Sequence, residues 1–98
     1  MIYDLNKLIK KDLEKEEYDV CIIGSGAAGI TIAKYLSKYN LKISLIEGGS
    51  IDFSKESQDL YKGELIGDPY YPLDVVRLRY WGGSTNHWGG MSRPFDEV

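Results

Sequence analysis

"YDVCIIGSGAAGITIAKYLSKYNLKISLIEGG", residues 18–49, changes its hydrophobic period twice. Val20 to Ile23 is an apolar run too short for a helix, and the chain then bends at glycine. Ile30, Ala33 and Leu36 follow at helical spacing, and Ile43 to Ile46 forms a second apolar run. The order is strand, tight turn, helix, strand. Asn40 is the expected helix stop, and the length of the crossover suits two parallel strands joined by a right-handed connection. Two such strands make an incomplete sheet, because parallel strands need cover on both faces.

The turn itself is "GSGAAG", with Gly24, Gly26 and Gly29 in the G-x-G-x-x-G spacing. The first glycine permits the tight turn, the second lets a pyrophosphate approach the backbone, and the third lets helix and strand pack closely. The helix that starts there points unsatisfied N–H groups and its positive dipole end at the same place. Glu47 ends the second strand, where the fingerprint wants an acid for the ribose hydroxyls. The expected fold class is therefore α/β: a partial Rossmann-like dinucleotide-binding fold with an incomplete parallel sheet. Gly24, Ser25, Gly26, Ala27, Ala28, Gly29, Glu47 and Gly48 are the candidate cofactor-binding residues of this half. A carboxylate at Glu47 repels a ribose 2′-phosphate, which leaves FAD or NAD rather than NADP.

Outward from this unit the signals thin. Residues 1–16 read as an N-terminal amphipathic helix: in "IYDLNKLIKKDLEK", Ile2, Leu5, Leu8, Ile9 and Leu13 recur at helical spacing. Asp4, Asp12 and Glu14 dilute its positive face, so docking on the parent fold is the better reading than a membrane surface. Residues 17–98 read as the N-terminal portion of a FAD/NAD(P)-binding domain without its substrate domain. Residues 54–61 suit a short helix, and Pro69 and Pro72 make "GDPYYPL" extended or turned. A net charge of −3 and the lack of a Lys/Arg block argue against nucleic acid or an anionic membrane as partner. Cys21, the single cysteine, sits in an apolar strand and is expected to be a buried, structural thiol. No secretory signal, membrane span or metal-ligand cluster is legible, and the cytoplasm is the default location.

"RYWGGSTNHWGG", residues 79–90, sets two Gly-Gly pairs and two tryptophans around the only histidine and reads as neither helix, strand nor core. Here a resemblance enters. The arrangement from Gly24 through Ala33 to Leu36, followed by "LIEGG", is similar to the FAD-binding unit of glutathione-reductase-like flavoproteins. "RLRYWGGSTNHWGGMSRPFD", residues 77–96, resembles the second flavin-contacting segment of the glucose–methanol–choline (GMC) oxidoreductases. That resemblance implies FAD as cofactor, with Gly82, Gly83 and Ser84 running past the pyrophosphate and the ring system. It implies that Asn86 hydrogen-bonds there and that Trp81 and Trp88 wall the flavin from water, core packing being the commoner role for either tryptophan alone. It also places His87 where some members carry a histidine bonded to the flavin 8α-methyl group; a packing or hydrogen-bonding histidine is the plain alternative.

The same family oxidises alcohols by hydride transfer to flavin, with a histidine paired to a second histidine or asparagine far along a much longer chain. Nothing in residues 1–98 matches that pair, so no catalytic residue is assigned. The expectation is an N-terminal fragment of a GMC-type oxidoreductase acting on an alcohol or sugar hydroxyl with an unknown electron acceptor. The alternative is a non-catalytic dinucleotide-binding remnant.

Overall fold

A computed structural model describes residues 1–5, 7, 16–89 and 93. The helix expected over the N-terminal segment falls mostly outside these residues. Among them, strand β1 (Val20–Ile23) leads through the glycine turn into helix α1 (Ala27–Leu36), and the chain returns in strand β2 (Ile43–Ile46). The strands pair in parallel, with Val20 opposite Ile43, Cys21 opposite Ser44, Ile22 opposite Leu45 and Ile23 opposite Ile46. Gly24 N–H extends the ladder by donating to the Ile46 carbonyl at 2.7 Å. The βαβ reading of the sequence holds.

Helix α1 lies over one face of this pair. Its half-covered positions are Gly29, Ile30, Ala33 and Leu36, the helical stripe that the sequence spacing picks out. Val20 and Ile22 are likewise partly covered, while Cys21 and Ile23 point to the opposite face. The expectation of a buried thiol is corrected here: Cys21 is free and exposed. An apolar run reads as doubly buried only where a second layer exists, and none of the described residues supplies one. Ile23 is 86% exposed, and no apolar side chain among the described residues is fully buried.

The helix also stops sooner than expected. It ends at Leu36, and Ser37 N–H donates back to the Ala33 carbonyl. Bonds from Lys38 N–H to the Tyr35 carbonyl and from Tyr39 N–H to the Leu36 carbonyl then tighten the exit into a turn before Asn40 is reached.

After β2 the chain forms helix α2 (Lys55–Gln58), a 3₁₀ turn (Asp59–Tyr61), helix α3 (Leu73–Val76) and a second 3₁₀ turn (Gly83–His87). The first helix falls within the expected span. Ser54 caps it by accepting from Ser57 N–H. The last turn corrects the reading of residues 79–90 as wholly irregular. It opens at Gly82, whose φ of 88° is left-handed and suits glycine.

Gln58 ties these pieces together from an almost fully buried position. Its amide nitrogen donates to the Asp74 carbonyl at 2.8 Å and to the Arg77 carbonyl, and its amide oxygen accepts from Arg79 N–H at 2.9 Å. One side chain thereby satisfies three backbone groups that have no ladder to join. Ser57 adds a second tie, donating its hydroxyl to the Arg79 carbonyl and accepting from the Arg79 guanidinium at 2.7 Å. The segment ending at Arg79 is thus delivered beside the end of β2.

Candidate functional site

The glycine turn, the end of β2 and the turn at residues 81–88 meet at the N-terminus of α1. Gly24 takes a left-handed φ of 97°, which lets the chain leave β1 sharply. At Gly29 a Cβ would lie 2.0 Å from the Gly24 carbonyl oxygen, so a hydrogen there is the condition for the helix to sit against the turn. Gly26 caps α1 without a side-chain hydrogen bond, and no acidic residue lies in the first turn. The leading N–H groups of the helix therefore remain available to an external acceptor.

Those groups face an open cleft of about 380 Å³ lined by Ile23, Gly24, Gly26, Ala27, Ala28, Gly29, Ser84, Thr85 and Trp88. That volume lies at the lower end of small-molecule sites, about 300–1,000 Å³. A Cβ on Gly26 would meet no protein atom within 4 Å, so the space beside it is free for a ligand. The residues fit a diphosphate: uncapped N–H groups, no acidic side chain in the lining and close access to backbone.

Ser25 is the hinge pin of the arrangement and is 0% exposed. Its N–H and its hydroxyl both donate to Glu47 Oε2, at 2.8 and 2.7 Å. Glu47 Oε1 accepts from Gly49 N–H at 2.9 Å. On its other side, the Ser25 carbonyl accepts from Gly82 N–H at 3.1 Å. Trp81 N–H donates to the Ser50 carbonyl at 2.9 Å. The second glycine segment is thus fastened by main-chain bonds to the turn between β1 and α1 and to the chain just after β2.

Partial burial raises the pKa of Glu47, but the hydrogen bonds from the Ser25 side chain and from the backbone of Ser25, Gly49 and Gly48 outweigh it. The net shift is downward, and Glu47 is held as a carboxylate. Its contribution to the site is complete above the ordinary value of 4.5 and is lost as pH falls through the lowered one.

The other candidates divide. Asn86 donates its amide to the Trp81 carbonyl at 2.9 Å and to the Gly83 carbonyl at 3.1 Å, so it braces its own turn rather than the cleft. Thr85 does the same through its hydroxyl to the Gly82 carbonyl, yet it also lines the cleft. Ser84 lines the cleft and accepts from Leu78 N–H at 3.3 Å. Gly48 lies under the Arg79 guanidinium, which a Cβ there would approach to 2.5 Å. Trp81, Gly82, Gly83 and His87 lie outside the lining, and His87 is exposed.

Ile23 and Thr85 were not singled out by the sequence. Each is adjacent to a residue that was, and a strand's last residue before the first glycine faces the same cleft as the glycine does. Among the described residues no group of His, Cys, Asp and Glu is placed to hold a metal, and no helix is long and apolar enough to cross a membrane.

Residues 18–65 match the model of a family described as pyridine nucleotide-disulphide oxidoreductase. The chain is 41% identical over 97 residues to the capsanthin/capsorubin synthase of Capsicum annuum, a match that covers 92% of this chain and 18% of that protein. It is 49% identical over 41 residues to the aerobic glycerol-3-phosphate dehydrogenase of Staphylococcus haemolyticus, covering 42% of this chain and 7% of that protein. It is 60% identical over 30 residues to the glycerol 3-phosphate dehydrogenase of Caloramator mitchellensis, covering 31% and 6%. The chain spans less than a fifth of the length of these relatives. No solved structure matches it significantly. Residues 18–65 form a partial Rossmann-like, nucleotide-binding type of βαβ unit.

Proposed function

We propose that this chain holds the FAD of an oxidoreductase of GMC type, as the N-terminal part of a larger protein that oxidises an alcohol or sugar hydroxyl. One observation carries the cofactor reading: an uncapped helix N-terminus and a second glycine segment border one cleft, with Glu47 fixed as a carboxylate beside the turn. In this reading the N–H groups of Ala27, Ala28 and Gly29 hold the diphosphate and Glu47 receives the adjoining ribose. Gly82, Gly83 and Ser84 carry the backbone past the rest of the cofactor. Bound FAD supplies the hydride acceptor. Trp88, on the rim of the cleft, shields that region from water.

Two relatives are by name dehydrogenases of glycerol 3-phosphate, which agrees with oxidation at a carbon bearing a hydroxyl. The string from Gly82 to Gly90 supports the GMC assignment and lies beyond the matched residues 18–65.

Flavin retention by the full-length protein tests the reading. Glu47→Ala should weaken FAD binding by about 10- to 100-fold, the equivalent of about 1.5–3 kcal/mol for a hydrogen bond to a charged group. Wild type should release flavin as pH is lowered through the depressed pKa of Glu47, and Glu47→Gln should lack that transition. Unchanged affinity in Glu47→Ala, together with a wild-type pH profile in Glu47→Gln, would remove Glu47 from the site.

His87 extends the reading. Its exposed imidazole ends a glycine-flanked turn, and a neutral imidazole would add to the 8α carbon of an oxidised flavin tautomer whose methyl group has lost a proton, leaving the flavin reduced by two electrons until the protein's electron acceptor reoxidises it. With such a bond, acid precipitation leaves the yellow colour in the protein pellet, and His87→Ala moves it to the supernatant. Complete release of flavin from denatured wild type makes His87 a non-covalent neighbour instead.

A further inference from the structure

We infer that Ser25 is the positioning residue through which Glu47 fixes the second wall of the cleft. That wall is the 3₁₀ turn Gly83–His87 with Trp88, which brings Ser84, Thr85 and Trp88 into the lining. It stands against the first glycine turn, where a Cβ on Gly83 would come within 3.4 Å of Gly26 Cα. The contacts lie within the protein, so the inference holds for any occupant of the cleft and does not rest on FAD.

The contacts form a chain from the end of β2 to that wall. Gly48 and Gly49 N–H hold the Glu47 carboxylate in place, Gly49 at 2.9 Å. Oε2 then accepts both the N–H and the hydroxyl of Ser25, at 2.8 and 2.7 Å. A carboxylate only accepts, so the Ser25 hydroxyl must donate to it and keeps its lone pairs for other donors. Gly82 N–H is such a donor: it bonds the Ser25 carbonyl at 3.1 Å and, more weakly, the hydroxyl oxygen at 3.4 Å. Ser25 is the one fully buried side chain among the described residues, so a partner it releases is not simply taken over by bulk water. An alanine at residue 25 keeps the main-chain bonds but loses the side-chain grip on the carboxylate. Ser25 thereby turns a fixed carboxylate into a fixed docking point for Gly82.

Amide hydrogen exchange of the flavin-free full-length protein, read at Gly82 and across residues 79–88, tests the chain. Ser25→Ala should speed exchange at Gly82 by about 3- to 30-fold, while β1, α1 and β2 stay within about twofold of wild type. Glu47→Ala should also speed exchange at Gly82. The double variant should then exchange like Glu47→Ala alone, because both changes cut the same chain. Multiplication of the two effects would mean that Glu47 reaches the second wall without Ser25, and would overturn the inference. An unchanged Gly82 in Ser25→Ala would overturn it as well. Faster exchange throughout β1, α1 and β2 would make Ser25 a general packing residue instead. If Ser25→Ala does not fold, Glu47→Ala decides alone, since an unchanged Gly82 there breaks the chain from its other end. The measurement needs no ligand, so its outcome is separate from that of the flavin-retention experiments.

Discussion

Gly29→Ala is expected to destabilise the βαβ unit by about 3 kcal/mol or more, at the top of the range for overpacking. The added Cβ would lie 2.0 Å from the Gly24 oxygen, 3.2 Å from the Gly24 carbonyl carbon and 3.4 Å from Ile22 Cγ2. The first two are backbone atoms of a turn already committed to a left-handed φ, so neither can swing aside as a flexible side chain does. Relief requires α1 to move away from β1, which uncovers Ile22 and Ile30 and withdraws the helix N-terminus from the cleft. With native stabilities of about 5–15 kcal/mol, such a loss is a large fraction of the whole. Thermal unfolding of the full-length protein should show a lowered midpoint both with and without flavin. A midpoint equal to wild type would mean that α1 does not sit against Gly24 as described.

Gly26→Val should give the opposite signature, with the fold retained and the cofactor lost. Gly26 has an ordinary φ of −69°, and a Cβ there meets no protein atom within 4 Å. The flavin-free protein should therefore lose no more than about 1 kcal/mol, the scale of a less favoured helix cap. The valine methyl groups instead enter the cleft where the diphosphate is placed, and flavin affinity should fall by at least about 100-fold, or about 2.7 kcal/mol. The pair of variants separates a glycine needed by the protein from a glycine needed by the ligand. A Gly26→Val protein that purifies with full flavin content would refute the position of the diphosphate.

These two glycines also mark how far the sequence could be read. The strand–turn–helix–strand order was legible because Ile30, Ala33 and Leu36 repeat on one face, and short-range periodicity is a local property of the chain. The role of Glu47 as a carboxylate beside the glycine turn was legible from spacing. Its bonds to Ser25 were not, since a serine within a glycine loop carries no sign of where its hydroxyl points. Cys21 was misread because an apolar strand does not announce whether a second layer covers it. The junction of Gly82 with Ser25 was illegible for a different reason: it joins main chain to main chain, and no residue type encodes it. The bonds from the Asn86 amide to the carbonyls of Trp81 and Gly83 were likewise illegible, because an amide cannot show from sequence which partners it will find.

The main-chain character of that junction has an evolutionary consequence. The bonds from Gly82 to Ser25 and from Trp81 to Ser50 ask only that peptide groups meet, so the stretch that leaves at Ser50 and returns at Arg79 is held by main chain at its ends and by Ser57 and Gln58 within. Closing a loop costs only about 0.6 kcal/mol more for each doubling of its length. The intervening residues can therefore be lengthened, shortened or replaced with little penalty to the cleft, provided that Gln58 or an equivalent still gathers the returning strand of chain. The loop over residues 63–71, which lies between Gln58 and its partners at Asp74 and Arg77, is where new surface recognition can be acquired without disturbing the cleft.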